Sequence, residues 1–227
     1  MKALFINGSP RKNWNTAKML ESAMKGASDA GAETELINLY DFVFKGCVSC
    51  FACKLKTAKT HGLCAFKDAL TPVLEKALHS DVIVMGSPIY FSFPTGMMRS
   101  FIERFLFPIM HYSNDENGNR IRDIDRTIYS ASIYTMNAPK EIAEKIHYDT
   151  IINTNAAALD VVLGYTENLC AYNTYQFNDY SRYDANMFSE EVKAKYRDEH
   201  FEKDLQAAYE LGKRLVEKAK SAGMKKI

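Results

Sequence analysis

Asp81-Val82-Ile83-Val84-Met85-Gly86 is the stretch whose reading decides the fold of this chain. Its central residues are all apolar, mostly β-branched, and no polar residue alternates with them. Such a strand is buried on both faces, as the centre of a parallel sheet requires. Just before it, Asp68–His79 carries Leu70, Val73, Leu74 and Ala77 at helical spacing, and after it Met97–Phe107 again reads as a helix. Further out on the N-terminal side, Ala3–Ile6 reads as a buried strand and Glu33–Leu39 as another. Between them Thr16–Ala30 forms a helix with Ala17, Leu20, Met24 and Ala27 on one face. On the C-terminal side the reading is a strand at Thr127–Ile133, helix over much of Pro139–Leu163, and a last strand at Glu167–Ala171. A C-terminal helical extension follows at 188–222, and the polar segment Asn114–Arg126 is expected to be an exposed loop.

This strand–helix alternation implies an α/β doubly wound, three-layer sandwich, a parallel sheet covered by helices on both faces. A chain of 227 residues, 47% hydrophobic and 25% charged, suits a single domain over 1–227 with a well-buried core. Its 29 basic and 28 acidic residues nearly cancel, so neither nucleic acid nor an anionic membrane is an expected partner. No apolar run approaches the roughly 20 residues of a membrane span, and the first one is too short for a signal-peptide core. The expectation is a cytoplasmic, soluble protein with no membrane partner.

Ligands of doubly wound sheets bind beyond the carboxyl ends of the strands, where the strand order reverses. After the first strand comes Asn7-Gly8-Ser9-Pro10-Arg11-Lys12-Asn13-Trp14-Asn15-Thr16. Gly8 allows a sharp turn, and Ser9, Asn13, Asn15 and Thr16 offer short hydrogen-bonding side chains. The next helix opens with free N–H groups, which favour a phosphate, and Arg11 adds a charged donor. The same residues also read as a polar turn before a helix capped by Asn15 or Thr16. Neither GxxxxGK[ST] nor GxGxxG occurs, and the loop holds no cysteine. A P-loop nucleotidase, a dinucleotide site and a cysteine phosphatase are therefore unsupported, which leaves a mononucleotide phosphate.

After the third strand, Gly86-Ser87-Pro88-Ile89-Tyr90-Phe91-Ser92-Phe93-Pro94-Thr95-Gly96 combines prolines and glycines with aromatic rings, and reads as an irregular loop. It offers an apolar wall and backbone polar groups, what a flat aromatic cofactor needs, although such aromatics also serve as ordinary packing. After the fourth strand, Met136 and Asn137 fall by position where a third ligand loop belongs.

Cys47-x2-Cys50-x2-Cys53, followed by Cys64 after ten residues, forms a cysteine-rich loop at 44–66. Thiolates spaced by two residues converge on one metal or cluster from a single loop. A [4Fe-4S] cluster, zinc, and free or redox-active thiols all remain open. Lys54, Lys56, Lys59 and His61 are expected to lower the thiolate pKa values. Cys170 reads as a buried, inert thiol, and the aromatic-rich Tyr172–Tyr183 as a packed surface loop or as a lining for the substrate side of a bound cofactor.

The opening loop resembles the Gly-Ser-Pro-Arg-Lys-x-Gly-Asn-Thr loop of the NADPH-dependent FMN reductase family, which includes the iron–sulfur flavoproteins; Trp14 stands where that family usually has Gly. Met98-Arg99-Ser100-Phe101-Ile102-Glu103-Arg104-Phe105 is similar to the family's Arg-x-Phe-Ile-Glu-Arg helix, which follows a Pro-x-Tyr flavin loop. The resemblance implies a flavodoxin-like sheet of five parallel strands in the order 2-1-3-4-5. It also implies FMN as cofactor, with Pro88, Ile89, Tyr90 and Phe91 as flavin contacts and Cys47, Cys50, Cys53 and Cys64 as cluster ligands. NAD(P)H is the implied electron donor, a small-molecule or protein electron acceptor the implied partner, and a homodimer or homotetramer the implied assembly. The flavin carries the chemistry, so no catalytic acid or base is expected. Two rivals are a ferredoxin-reduced electron-transfer flavoprotein and a non-catalytic flavodoxin-like binding module.

Overall fold

The β-branched run 82–85 does lie at the centre of a sheet, in a computed structural model that describes residues 1–224. The elements, in chain order, begin with β1 (Lys2–Asn7), α1 (Asn15–Asp29), β2 (Glu33–Asn38), α2 (Thr71–Leu78), β3 (Val82–Tyr90), the two-residue β4 (Phe93–Pro94) and α3 (Gly96–Ile109). They continue with β5 (Met110–Asn114), β6 (Arg120–Arg122), β7 (Ile128–Thr135), α4 (Lys140–Lys145), α5 (Tyr148–Leu163), β8 (Gly164–Ala171) and α6 (Glu190–Met224). Five strands run parallel in the order β2-β1-β3-β7-β8, the expected 2-1-3-4-5 arrangement.

Side chains alternate across each strand, and that period sorts the core into two halves. Leu4, Ile6, Ile83 and Met85 face the layer of α2, α3 and α5, where they meet Leu74, Phe101, Phe105 and Leu159. Ala3, Phe5, Val82, Val84, Ala131 and Ile133 face α1 and α6, where they meet Leu20, Ala23, Leu211 and Leu215. Burying each large side chain contributes about 1.5–3 kcal/mol. On this second face α1 and α6 touch backbone to backbone. A Cβ on Gly26 would stand 2.0 Å from the Tyr209 carbonyl oxygen, and one on Gly212 would stand 1.9 Å from that of Ala23.

One expectation changes, and three others gain detail. The segment after Gly86 is not wholly irregular: β3 continues through Tyr90, with Pro88 paired to Thr135 at the end of the β7 ladder. It then turns through Phe91 (φ 47°) and Ser92 (φ 76°) into antiparallel β4. Two positive-φ residues in a two-residue turn follow the twist of the flanking strands. The expected loop at 114–126 belongs to an antiparallel hairpin, β5–β6. The helical stretch 139–163 breaks at His147 (φ 62°), and the C-terminal extension is one continuous helix. No helix among the described residues is long and apolar enough to cross a membrane.

Candidate functional site

The loop after β1 is pinned at its root. The Gly8 N–H donates to the Gly86 carbonyl (2.8 Å), and the Thr95 hydroxyl donates to the Gly8 carbonyl (2.6 Å). A Cβ on Gly8 would come within 2.8 Å of Met98 Cβ, so glycine is required for this close approach. The Ser9 N–H donates to Asn7 Oδ1 (2.9 Å), and the Arg11 N–H donates to Ser9 Oγ (3.1 Å). Neither Asn15 nor Thr16 caps α1. Trp14 occupies the cap position without a side-chain bond, and the first helical bond runs from the Lys18 N–H to the Trp14 carbonyl (2.9 Å). The helix therefore opens with unpaired N–H groups beside Arg11, and its dipole adds a partial positive charge there.

These residues meet those of the other two loops. Ser9, Arg11, Asn15, Thr16, Pro88, Ile89, Tyr90, Met136 and Asn137 all line one cavity of about 120 Å³ at the carboxyl ends of β1, β3 and β7. Thr16 Oγ1 and Thr135 Oγ1, 2.7 Å apart, join the first and third loops beneath it. Two expected residues stand elsewhere. Asn13 is exposed on the outer turn, and Phe91, at the hairpin tip, is 98% exposed and lines nothing. Its place follows from the continuation of β3, which carries the chain past the cavity before it turns.

Thr174, Tyr175 and Gln176 form the cavity's fourth wall, so the segment 172–183 takes the second of the two places its sequence offered, beside the cavity. Its only signal was the unusual aromatic density of 172–183. This segment is tied to the first loop by Asn15 Nδ2, which donates to the Tyr175 carbonyl (2.8 Å), by Trp14 Nε1 to the same oxygen (3.1 Å), and by Arg11 to the Gln176 carbonyl. Trp14, the position where the family usually has Gly, thus latches the wall to the loop.

The four cysteines Cys47, Cys50, Cys53 and Cys64 all line a second, much smaller cleft of about 20 Å³ against α3. Two cations, Arg104 buried and Lys54 half-buried, hold their loop. Arg104, 1% exposed, donates to Asp68 Oδ2 (2.5 Å) and to the carbonyls of Lys45 (3.1 Å) and Phe66 (2.6 Å), closing both ends of the loop. Its Nε is buried without a partner, and its guanidinium faces Cys64. Lys54 donates to the carbonyls of Phe107, Pro108 and Met110, satisfying the C-terminus of α3. The expected depression of thiolate pKa values does not hold at Cys53. Burial raises its thiol and outweighs the attraction of Lys54, whose own pKa burial lowers. No group of three or more His, Cys, Asp or Glu side chains among the described residues is gathered closely enough to ligate a metal ion. Cys170 is half-buried, and its thiol is also raised by burial.

Residues 1–121 match the family described as NADPH-dependent FMN reductase. The chain belongs to that family. Among relatives of this FMN reductase family member, an iron-sulfur flavoprotein of Archaeoglobus fulgidus is 43% identical over 104 residues, 46% of this chain and 48% of the relative. An iron-sulfur flavoprotein of Methanocaldococcus jannaschii is 33% identical over 104 residues, 46% of this chain and 51% of the relative. The match thus spans about half the length of these relatives. Among solved structures, an NAD(P)H:quinone oxidoreductase from Methanothermobacter marburgensis superposes with a TM-score of 0.67 at 14% identity, covering 95% of this chain and 96% of the other. At that identity the likeness shows the fold, a flavodoxin-like sandwich.

The family's FMN fits the donor set of the sheet-end cavity. Free helix N–H groups and Arg11 suit a phosphate. Asn137 Oδ1 is buried without a hydrogen-bond partner and lines the same cavity, an orphaned acceptor of the kind a ligand N–H or O–H satisfies. The volume is below the roughly 300–1,000 Å³ of small-molecule pockets. The donors of Arg11, Trp14 and Asn15 are engaged by the 175–176 carbonyls.

Beyond the cavity, the outer faces of α3 and α5 and the β5–β6 hairpin border an apolar groove of about 660 Å³, lined among others by Ile102, Phe107, Tyr112 and Val161.

Proposed function

We propose that this chain binds FMN at the sheet-end cavity and acts as an oxidoreductase, taking electrons from NAD(P)H and passing them to a small-molecule or protein acceptor. The observation that carries this reading is the convergence of three strand-end loops on one cavity containing both an anion-binding helix start and an orphaned polar acceptor. Bound FMN supplies the redox chemistry, accepting hydride from the nicotinamide and releasing electrons to the acceptor. The protein binds and orients. The α1 N–H groups and Arg11 hold the phosphate, Ile89 and Tyr90 wall the ring system, Asn137 offers its carboxamide oxygen to a polar edge, and the 174–176 segment excludes water. No acid or base of this chain is needed.

The test is an FMN titration of the purified protein followed by anaerobic mixing with NADH or NADPH. Saturable binding at micromolar FMN and bleaching of the flavin band by a nicotinamide are expected. Failure to bind overturns the reading, and binding without reduction by either nicotinamide leaves an electron-transfer or binding role.

A second reading is favoured by the cysteine cleft. Four thiols lining one cleft, together with relatives named iron-sulfur flavoproteins, support a [4Fe-4S] cluster here, for which the thiols would have to draw closer together than they stand. The cluster would receive electrons from the flavin or from a ferredoxin. Iron and acid-labile sulfide in near-stoichiometric amounts after anaerobic purification support it; zinc alone, or no metal, overturns it. The apolar α3–α5 groove supports a homodimer or homotetramer, and a monomeric sedimentation mass counts against either.

A further inference from the structure

Lys193 lies in the first turn of α6 and is 4% exposed. Its Nζ donates to the Asn137 carbonyl oxygen (2.6 Å) and to Asn173 Oδ1 (2.5 Å), and the Phe188 ring centre lies 5.2 Å away. The Asn173 N–H in turn donates to the Ala138 carbonyl (2.8 Å), and the Thr174 N–H to that of Met136 (3.0 Å). Lys193 therefore sits behind the third loop of the cavity and staples it to the fourth wall. No carboxylate pairs with it among the described residues; burial lowers its pKa to about 8, so at neutral pH the group still carries its proton.

An ammonium withdrawn from water without a counter-charge is unfavourable, and two oxygen acceptors alone do not require it. The charge is explained if the site becomes negative during its working cycle. Oxidised flavin that takes up two electrons and one proton gains one negative charge, and a fixed positive charge near the ring is one of the levers by which a protein tunes a flavin.

We propose that Lys193 is the electrostatic positioning residue of this site: it holds the 136–138 and 173–174 loops together, and its uncompensated ammonium favours the reduced over the oxidised cofactor. The proposal rests on the FMN reading above. At an effective dielectric of about 20, a unit charge roughly 12 Å from the flavin ring would bias the two redox states by about tenfold.

The test measures dissociation constants of the apoprotein for oxidised FMN and, anaerobically, for dithionite-reduced FMN at pH 7, in wild type and three variants. The ratio of the two constants cancels general loss of loop order. In Lys193→Met the preference for reduced FMN is expected to drop about tenfold relative to wild type, with a matching fall in midpoint potential. Asn173→Asp keeps the hydrogen bond and tolerates the positive φ of 51°, but sets a carboxylate against Nζ, and should shift the ratio the same way. Lys193→Arg keeps the charge and should retain the wild-type ratio. If Lys193→Met fails to fold, Asn173→Asp decides alone. A ratio within twofold of wild type in the folded uncharged or neutralised variants overturns the proposal and leaves Lys193 a purely structural tie. Wild-type protein that binds neither form of FMN overturns the cofactor reading and this proposal with it.

Discussion

The cavity at the ends of β1, β3 and β7 and the cysteine cleft beside α3 are both made of loops, yet different forces hold them. Each cavity loop leaves a strand whose register is set by parallel neighbours on either side, so backbone hydrogen bonds position it before any side chain contributes. The cysteine loop contains one 3-10 turn, Ala52–Lys54, and strained positive-φ residues at Ser49, Phe51 and His61. Its geometry depends on the buried Arg104 and the half-buried Lys54. A ligand site on strand ends should survive loss of single side chains, whereas a stapled loop should not.

The largest effect is expected from Arg104→Met. Asp68 and the carbonyls of Lys45 and Phe66 would lose their donor, and breaking a buried pair costs about 3–5 kcal/mol. Denaturant unfolding should show that loss and limited proteolysis should cut within 45–68, while FMN affinity of the folded variant stays within about threefold of wild type (roughly 0.6 kcal/mol). A collapse of FMN affinity would break the comparison, because it would mean the cleft supports the cavity.

Next comes Gly212→Ala. Its methyl would meet the Ala23 carbonyl of α1, the helix whose first turn lines the cavity, and forcing the helices apart costs about 1–3 kcal/mol. Here stability and FMN affinity should fall together, because α1 is part of the cavity and not of the cleft.

Acid should sharpen the contrast further. Burial pushes the Asp68 carboxyl up, but the hydrogen bond and charge of Arg104, with the Leu70 N–H, outweigh it and hold the pKa below its ordinary 3.8. A depressed folded-state pKa stabilises the protein above the unfolded value and is lost as pH falls through the folded one. Wild-type stability should therefore drop below about pH 4, and Arg104→Met should lack that component. A pH titration of unfolding midpoints reads both.

The smallest effect is expected from Trp14→Gly. Removing one partly exposed hydrogen bond to Tyr175 lowers stability by about 0.5–1.5 kcal/mol. It loosens the fourth wall, so stopped-flow FMN association should quicken several-fold, and an unchanged or slower rate would show that Trp14 does not latch that wall.

Much of this architecture was readable residue by residue. The run 82–85, the alternation of Ala3–Ile6 and the helical spacing of Leu70–Ala77 report burial that depends on near neighbours, and the sheet order followed from them and the family likeness. Pro88 misled because a proline reads as a strand breaker, yet at the end of a ladder its missing N–H breaks little. Phe91 looked like a wall residue because nothing local announced that β3 would run past the cavity into a hairpin. Lysines near Cys53 suggested an activated thiol, but burial, which spacing does not reveal, has the larger influence.

What the sequence by itself determined is the layered sandwich and the polar glycine loop before α1, since apolar period, glycine placement and helix starts are local properties; most candidate residues on the other strand-end loops came from the family likeness and from position. Tertiary structure alone decided which charged residues are buried and what they hold. Arg104 reads as one more polar position on an apolar helix, and Lys193 as a solvated helix lysine. Their roles come from partners 36 and 56 residues away, and the cavity's fourth wall is tied to Asn15 across 160 residues. Desolvation and hydrogen bonding act through space, so only the closed chain reveals them.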